Sequence, residues 1–173
     1  MKIQTERLMI VPLTREHLDT ACRYMLDPEN ARMMVYLPAE SRAEVLRMID
    51  KAALERQKRE PEYLEYAVLL GDEHIGGLTM YFEGHPERGE LGWIIRKDCH
   101  GRGYAAEAAQ ALMDHFREVH GVQRFIAHCD AENAPSRRVM EKLRMTLKEI
   151  HGGRYNRLSP EERQECLYEI VYQ

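Results

Sequence analysis

The stretch HGRGYAAEAAQALM, His100 to Met113, places two glycines at alternate positions ahead of an alanine-rich run. Ala105, Ala108, Ala109, Leu112, Phe116 and Val119 recur at helical spacing and give that run one apolar face, and Gly121 closes it as a left-handed cap. Such a bend into a helix start suits a phosphate. Small residues let the chain turn tightly and let a ligand approach the main chain, while the first helical amides lack partners and carry the positive end of the helix dipole. Arg102 adds a side-chain charge. The same letters also serve an ordinary bend in which the glycines only permit the turn, so the surrounding elements decide.

Upstream, RLMIVPL (Arg7 to Leu13) reads as a strand, with Pro12 marking an edge or an end. Thr14 then caps a helix whose apolar face is Leu18, Ala21, Cys22 and Met25. Ser41 and Glu44 form a capping box ahead of a second helix that buries Leu46, Ile49 and Ala53. Beyond Pro61, YAVLL and IGGLTMYF flank the turn GDEH as a hairpin, and after the polar loop EGHPERG comes the strand ELGWII, Glu90 to Ile95. Downstream of the quoted helix, RFIAHC is a strand. A helix follows from near Asn133 and Pro135, with Val139, Met140 and Leu143 inward, and LKEIHG and CLYEIVY close the chain as strands. The expectation is an α/β fold of mixed type: one domain over residues 1–173, a central, mostly antiparallel sheet of about seven strands, and flanking helices. Glu90 to Cys129 would form its parallel crossover unit, and such sheets bind ligands at the carboxyl ends of their strands, where the quoted loop lies.

Composition narrows the function. At 173 residues and 44% hydrophobic, the chain can bury a sizeable core without disulfides or metals. Its four cysteines are scattered with no Cys-x-x-Cys pair, and no charged-then-apolar leader opens the chain, so a reducing, cytoplasmic location is expected. No apolar run approaches the ~18 residues of a membrane span. The 25 basic and 29 acidic residues are well mixed, which leaves no basic field for a nucleic-acid backbone. The eight histidines show no metal spacing, so no metal is expected, and the ten methionines read as core filler.

Gly101, Gly103 and Ala106 satisfy the dinucleotide pattern in letter. That pattern needs an acidic residue ~20 positions on, at the tip of the next strand, and Asp130 comes late. Helices and a hairpin upstream, and too short a chain downstream, speak against it. A P-loop is excluded, because no Lys-Ser or Lys-Thr follows the glycines.

With HGRGYA preceded by LGWII and followed by NAPSRRVMEKLRM, the chain resembles the GNAT superfamily of acetyl-CoA-dependent N-acetyltransferases. Within it the resemblance is to the branch of the ribosomal-protein N-terminal acetyltransferases (RimJ/RimL-like), and it covers nearly the whole chain, since TERLMIVPL at Thr5 to Leu13 is similar to that branch's opening strand. The family's pyrophosphate loop runs Gln or Arg, two residues, Gly, one residue, then Gly or Ala. Gly103 and Ala105 match, and His100 departs at the first position. The resemblance implies that His100, Gly101, Arg102, Gly103, Tyr104 and Ala105 hold acetyl-CoA, the co-substrate, together with Ile94 and Ile95 of the preceding strand. It places Asn133 beside the pantetheine and Ser136 near the thiol. Many relatives carry a tyrosine on that last helix as general acid, and here the position is Met140. It also implies an acceptor cleft lined by ENARMMVYLP, with Arg32, Tyr36 and Glu83 choosing the amine. The partners expected are acetyl-CoA and an amine acceptor, with a homodimer as one expected assembly.

The chemistry demands further groups. An amine is protonated near neutral pH and must lose a proton before its nitrogen attacks a thioester. Glu90, heading its strand beside the loop, would take that proton through water if Leu91 or Trp93 packs the core; otherwise it is a solvated strand-end glutamate. Ser136 is the motif-matched hydroxyl to protonate the departing thiolate, and equally a helix-start residue. A bulge in the strand of Glu90 would expose an amide to polarise the carbonyl. Cys99 and His100 are loop neighbours rather than a thiol–base pair. Two functions stay open at this point: direct acetyl transfer to a primary amine, such as a peptide N-terminus or a small molecule, and a non-catalytic acyl-CoA-binding or sensing module.

Overall fold

A computed structural model describes residues 1–82 and 87–172. Its strands are β1 (Ile3–Gln4), β2 (Leu8–Pro12), β3 (Tyr63–Leu70), β4 (Glu73–Tyr81), β5 (Arg88–Ile95), β6 (Arg124–Asp130), β7 (Thr146–Arg154) and β8 (Arg163–Val171). The helices are α1 (Leu18–Met25), α2 (Arg42–Glu55), α3 (Tyr104–His120) and α4 (Ala134–Lys142). One eight-stranded sheet runs β1-β2-β3-β4-β5-β6-β8-β7, and its pairs are antiparallel except β5 with β6. The strand absent from the sequence reading is β1, two residues long and too short to leave a periodic pattern. One parallel pair is not the all-parallel, doubly wound sheet of a dinucleotide enzyme, and that reading falls.

Local chemistry explains most boundaries. Gly103 (φ +82°) opens α3 and Gly121 (φ +70°) ends it, both in the left-handed region that favours glycine. Asn133 caps α4, its Oδ1 accepting from Ser136 N–H at 3.2 Å. The Ser41 hydroxyl accepts from Glu44 N–H at 3.2 Å, but the Glu44 carboxylate takes Glu40 N–H, at 2.7 Å, in place of Ser41's own. On α2 the buried stripe is Val45, Ile49 and Ala52, turned one position from the expected Leu46 and Ala53, which are only half-buried. Val119, expected on the apolar face of α3, is exposed. The β3–β4 turn is tighter than GDEH, since Leu70 already pairs with Glu73. β5 begins at Arg88, inside the stretch expected as loop.

The sheet carries a core on each face. Leu112, Met113 and Phe116 of α3 and Met140 of α4 pack on Met80, Leu91 and Phe125. On the other face Leu18, Ala21 and Tyr24 of α1 and Val45 and Ile49 of α2 pack around Ala67. Each large apolar side chain so buried is worth roughly 1.5–3 kcal/mol. Gly76 is obligatory for close approach: a Cβ there would meet the Ile94 carbonyl oxygen at 2.3 Å.

The feature that positions the site is a parting of the sheet. β5 and β6 pair at Arg88 with Arg124, Gly89 with Phe125 and Glu90 with Ile126, and no further. β5 runs on to Ile95 bound only to β4, and β6 to Asp130 bound only to β8. A wedge therefore opens beyond Glu90, and α3 leaves its β5 side through the glycine loop. Among the described residues, no helix is long and apolar enough to cross a membrane.

Candidate active site

Gly101 and Gly103 have φ of +77° and +82°, and the space where a Gly101 side chain would stand is open. Glu107 N–H is the first of α3 to bond back into the loop, to the Gly103 carbonyl at 3.1 Å. Among the described residues, the amides of 101–106 meet no acceptor. They form a concave set of bare donors at a helix N-terminus, which is the donor set a pyrophosphate requires. His100 does not reach outward: its Nε2 donates to the Ile95 carbonyl at 2.6 Å and ties the loop to the end of β5. The Arg102 side chain is exposed. Its carbonyl accepts from Arg7 Nη1 at 3.0 Å, and Arg7 also stacks over the Tyr104 ring at 4.6 Å and pairs with Glu107 at 2.6 Å. Arg7, just ahead of β2, thus clamps the loop, a role the sequence reading did not assign to it.

Glu90 stands at the last paired position of β5, with Leu91 buried beneath it. The condition set for its orientation is met, and the Glu90 carboxylate lines the cleft. His128 of β6 lies across the wedge, its Nδ1 donating to Glu90 Oε1 at 2.9 Å. A carboxylate only accepts, so Nδ1 carries the proton. Nothing in the spacing of Glu90 and His128, 38 residues apart, pointed to this pair. β5 joins β4 with no register shift; the irregularity lies between Val68 and Leu69 of β3, so the expected bulge is not in the strand of Glu90. Ile94 and Ile95 line the wedge with their strand, and Asn133 and Ser136 line it from α4. Met140 is fully buried in the core. Cys99 is buried and the His100 ring turns to Ile95, so the two do not form a reactive pair.

The wedge continues into a cleft of about 2340 Å³ between the sheet and the segment joining α1 to α2. Arg32 and Tyr36 line it as expected and are exposed; Glu83 lies outside the described residues. The β7–β8 connection closes the cleft over the top. Arg157 donates to the Tyr36 carbonyl at 2.9 Å and pairs with Glu44 at 2.8 Å, and Arg154 donates to the Met33 carbonyl at 2.9 Å. Beneath them Asn156 donates to Asp130 at 2.6 Å, and Arg163 pairs with the same carboxylate. Burial works against the Asp130 charge, but the bonds from Arg163, the Glu132 amide and Asn156 outweigh it and hold its pKa down. On the cleft floor lies Glu65, bonded by the Thr79 hydroxyl at 2.9 Å. Loss of hydration pushes its pKa up to about 7. The available signal was an acid inside the apolar strand YLEYAVLL. Among the described residues, no group of three His, Cys, Asp or Glu is placed to hold a metal ion.

A mixed sheet that parts beside a glycine loop opening a helix is the architecture of an N-acetyltransferase domain. The acetyltransferase (GNAT) domain model matches residues 7–146, and the chain belongs to this family. It is 32% identical over 148 residues to the uncharacterized N-acetyltransferase YnaD of Bacillus subtilis, covering 84% of this chain and 82% of that protein. Identity is 30% to the uncharacterized N-acetyltransferase p20 of Bacillus licheniformis, over 82% and 80% of the two chains. Among solved structures, RimL, a ribosomal L7/L12 alpha-N-protein acetyltransferase in complex with coenzyme A, superposes with a TM-score of 0.90 at 18% identity. That match covers 99% of this chain and 98% of the other. The family uses acetyl-CoA, and the neighbours of this fold include complexes with coenzyme A and with acetyl-CoA.

Proposed function

We propose that the protein transfers the acetyl group of acetyl-CoA directly to a primary amine, with no acyl-enzyme, and that the Glu90–His128 pair receives the amine's proton. The observation that carries this is the coincidence of that pair with the point where the sheet parts, one strand away from the loop of bare amides. The donor set fits the co-substrate: the amides of 101–106 suit a pyrophosphate, and the unpaired edges of β5 and β6 suit an amide-bearing arm. Acetyl-CoA supplies the acetyl group activated as a thioester.

The chain's own groups do the rest. Glu90 Oε1 is steadied by His128, and the Glu90 carboxylate, directly or through one water, takes a proton from the acceptor's ammonium and frees the nitrogen lone pair. Ser136, on the wall formed by the start of α4, relays a proton from solvent water to the departing sulfur, its hydroxyl taking one proton as it gives the other. Arg32 and Tyr36, beside the cleft's roof, meet the acceptor body. Family membership favours this reading over a sensing module, despite Met140.

The test is acetyl-CoA mixed with a panel of amines: peptides beginning with Ser or Ala, polyamines and aminoglycosides. Free thiol and acceptor mass are followed together. Amine-dependent thiol release with an acetylated product supports the proposal, and coenzyme binding without release for any amine returns the sensing module.

A further inference from the structure

Face by face, the sheet is apolar where α1 and α2 cover it and polar where they leave the cleft. Register places Glu65 beside Thr79 and Thr79 beside Gly92, while Tyr63 pairs with Tyr81 and Tyr81 with Glu90. Paired residues share a face, so the two carboxylates Glu65 and Glu90 stand on one floor. Two strand spacings and one two-residue step put their Cα atoms about 12 Å apart.

Glu65 is an unusual group to leave there. Among the described residues its carboxylate takes one hydrogen bond, from the neutral Thr79 hydroxyl to Oε2, and no cation pairs with it. Lys51 stands over the Tyr63 ring at 5.8 Å and makes no ion pair with Glu65. By contrast, Glu44 and Glu165 on the same cleft are paired with Arg157 and Arg154. Three phenols surround the acid: Tyr24, Tyr63 and Tyr81 each have their pKa raised, first by burial and next by the charge of Glu65. The Tyr63 and Tyr81 rings lie 5.9 Å apart. A partly desolvated carboxylate among aromatic rings lacks a cation, and both the acid and the ring faces attract one.

We infer that Glu65, with Thr79 and the Tyr63–Tyr81 pair, forms a second subsite that binds a cationic nitrogen of the acceptor other than the one acetylated. The acceptor class is then a doubly charged amine, its two nitrogens set apart by a chain that bridges the Glu90 and Glu65 ends of the floor. This deepens the proposed transfer reaction and rests on it for the identity of the reacting end.

Binding is read apart from turnover. Isothermal titration calorimetry reports occupancy without turnover. With coenzyme A present, wild-type protein is titrated with hexamethylenediamine and with hexylamine, which differ by one terminal amine. The diamine is expected to bind about tenfold more tightly, and Glu65→Gln, nearly isosteric, to erase that preference. Equal affinities in the wild type, or a preference that survives Glu65→Gln, overturns the subsite. The wild-type comparison does not depend on any variant folding. Diamine preference without acetyl transfer would refute the transferase reading alone; transfer without preference would refute the subsite alone.

Discussion

His128 Nδ1 lies 2.9 Å from Glu90 Oε1, a bond between two parallel strands made just past the point where their main chains stop pairing. Removing the charge of Glu90 while keeping its shape isolates its part. Glu90→Gln is expected to lower kcat about 100-fold, the scale of a general base, with coenzyme affinity essentially unchanged. Turnover at the wild-type level across pH would assign the proton to another group.

The glycine loop depends on main-chain donors and positive φ. Gly103→Pro removes one amide and forbids the φ of +82°, so coenzyme binding should be lost while the far-ultraviolet spectrum is kept. Calorimetry with coenzyme A checks it, and retained affinity would remove the loop from the site.

Arg7 bears on the same loop from outside. Arg7→Met keeps the stem over Tyr104 but gives up the bonds to Glu107 and the Arg102 carbonyl. The guanidinium is well exposed, which discounts the ion pair, so the expected cost is about fivefold in coenzyme affinity with kcat unchanged. The same calorimetric titration reads it.

His74 is a pH-sensitive element of the fold. Burial first, then the charges of His17 and Arg96, push its pKa down to about 4; the neutral ring takes the Thr20 hydroxyl at 2.8 Å and donates to the Gly76 carbonyl at 2.8 Å. The unfolded chain protonates its histidine near 6.5, so between about pH 6.5 and 4 the unfolded state binds the extra proton. Stability should therefore be constant in this group above that window and fall by a few kcal/mol across it as pH drops. Denaturant titrations at pH 7.5 and 5 measure the fall, which should be smaller in His74→Gln.

What was legible in the chain follows from physics that acts locally. The glycines around α3 and the Asn133 cap are short-range patterns and stand where the residues placed them; the apolar faces of α1 and α3 hold too, except that Tyr24 is buried where Cys22 was expected and Val119 is exposed. The face of α2 was off by one position, since Val45 and Leu46 are equally apolar and only the partner surface chooses between them. Glu90 was legible as an acid in the strand before the loop, though inside that strand and not at its head, and His128 was not, because their meeting depends on a crossover of 38 residues. Glu65 and Arg7 escaped for the same reason: Thr79 reaches Glu65 only through hairpin register, and Glu107 lies 100 residues from Arg7.

The parted strands also bear on how long the protein lasts. A sheet whose middle lacks its cross-links is a place where local opening is cheap, and a ligand whose amides filled that gap would close it. Coenzyme at a hundred times its dissociation constant would add about 3 kcal/mol to the folded state. Resistance to heat and to proteases would then rise and fall with the coenzyme supply, so that a cell short of acetyl donor would also hold less intact enzyme to spend it.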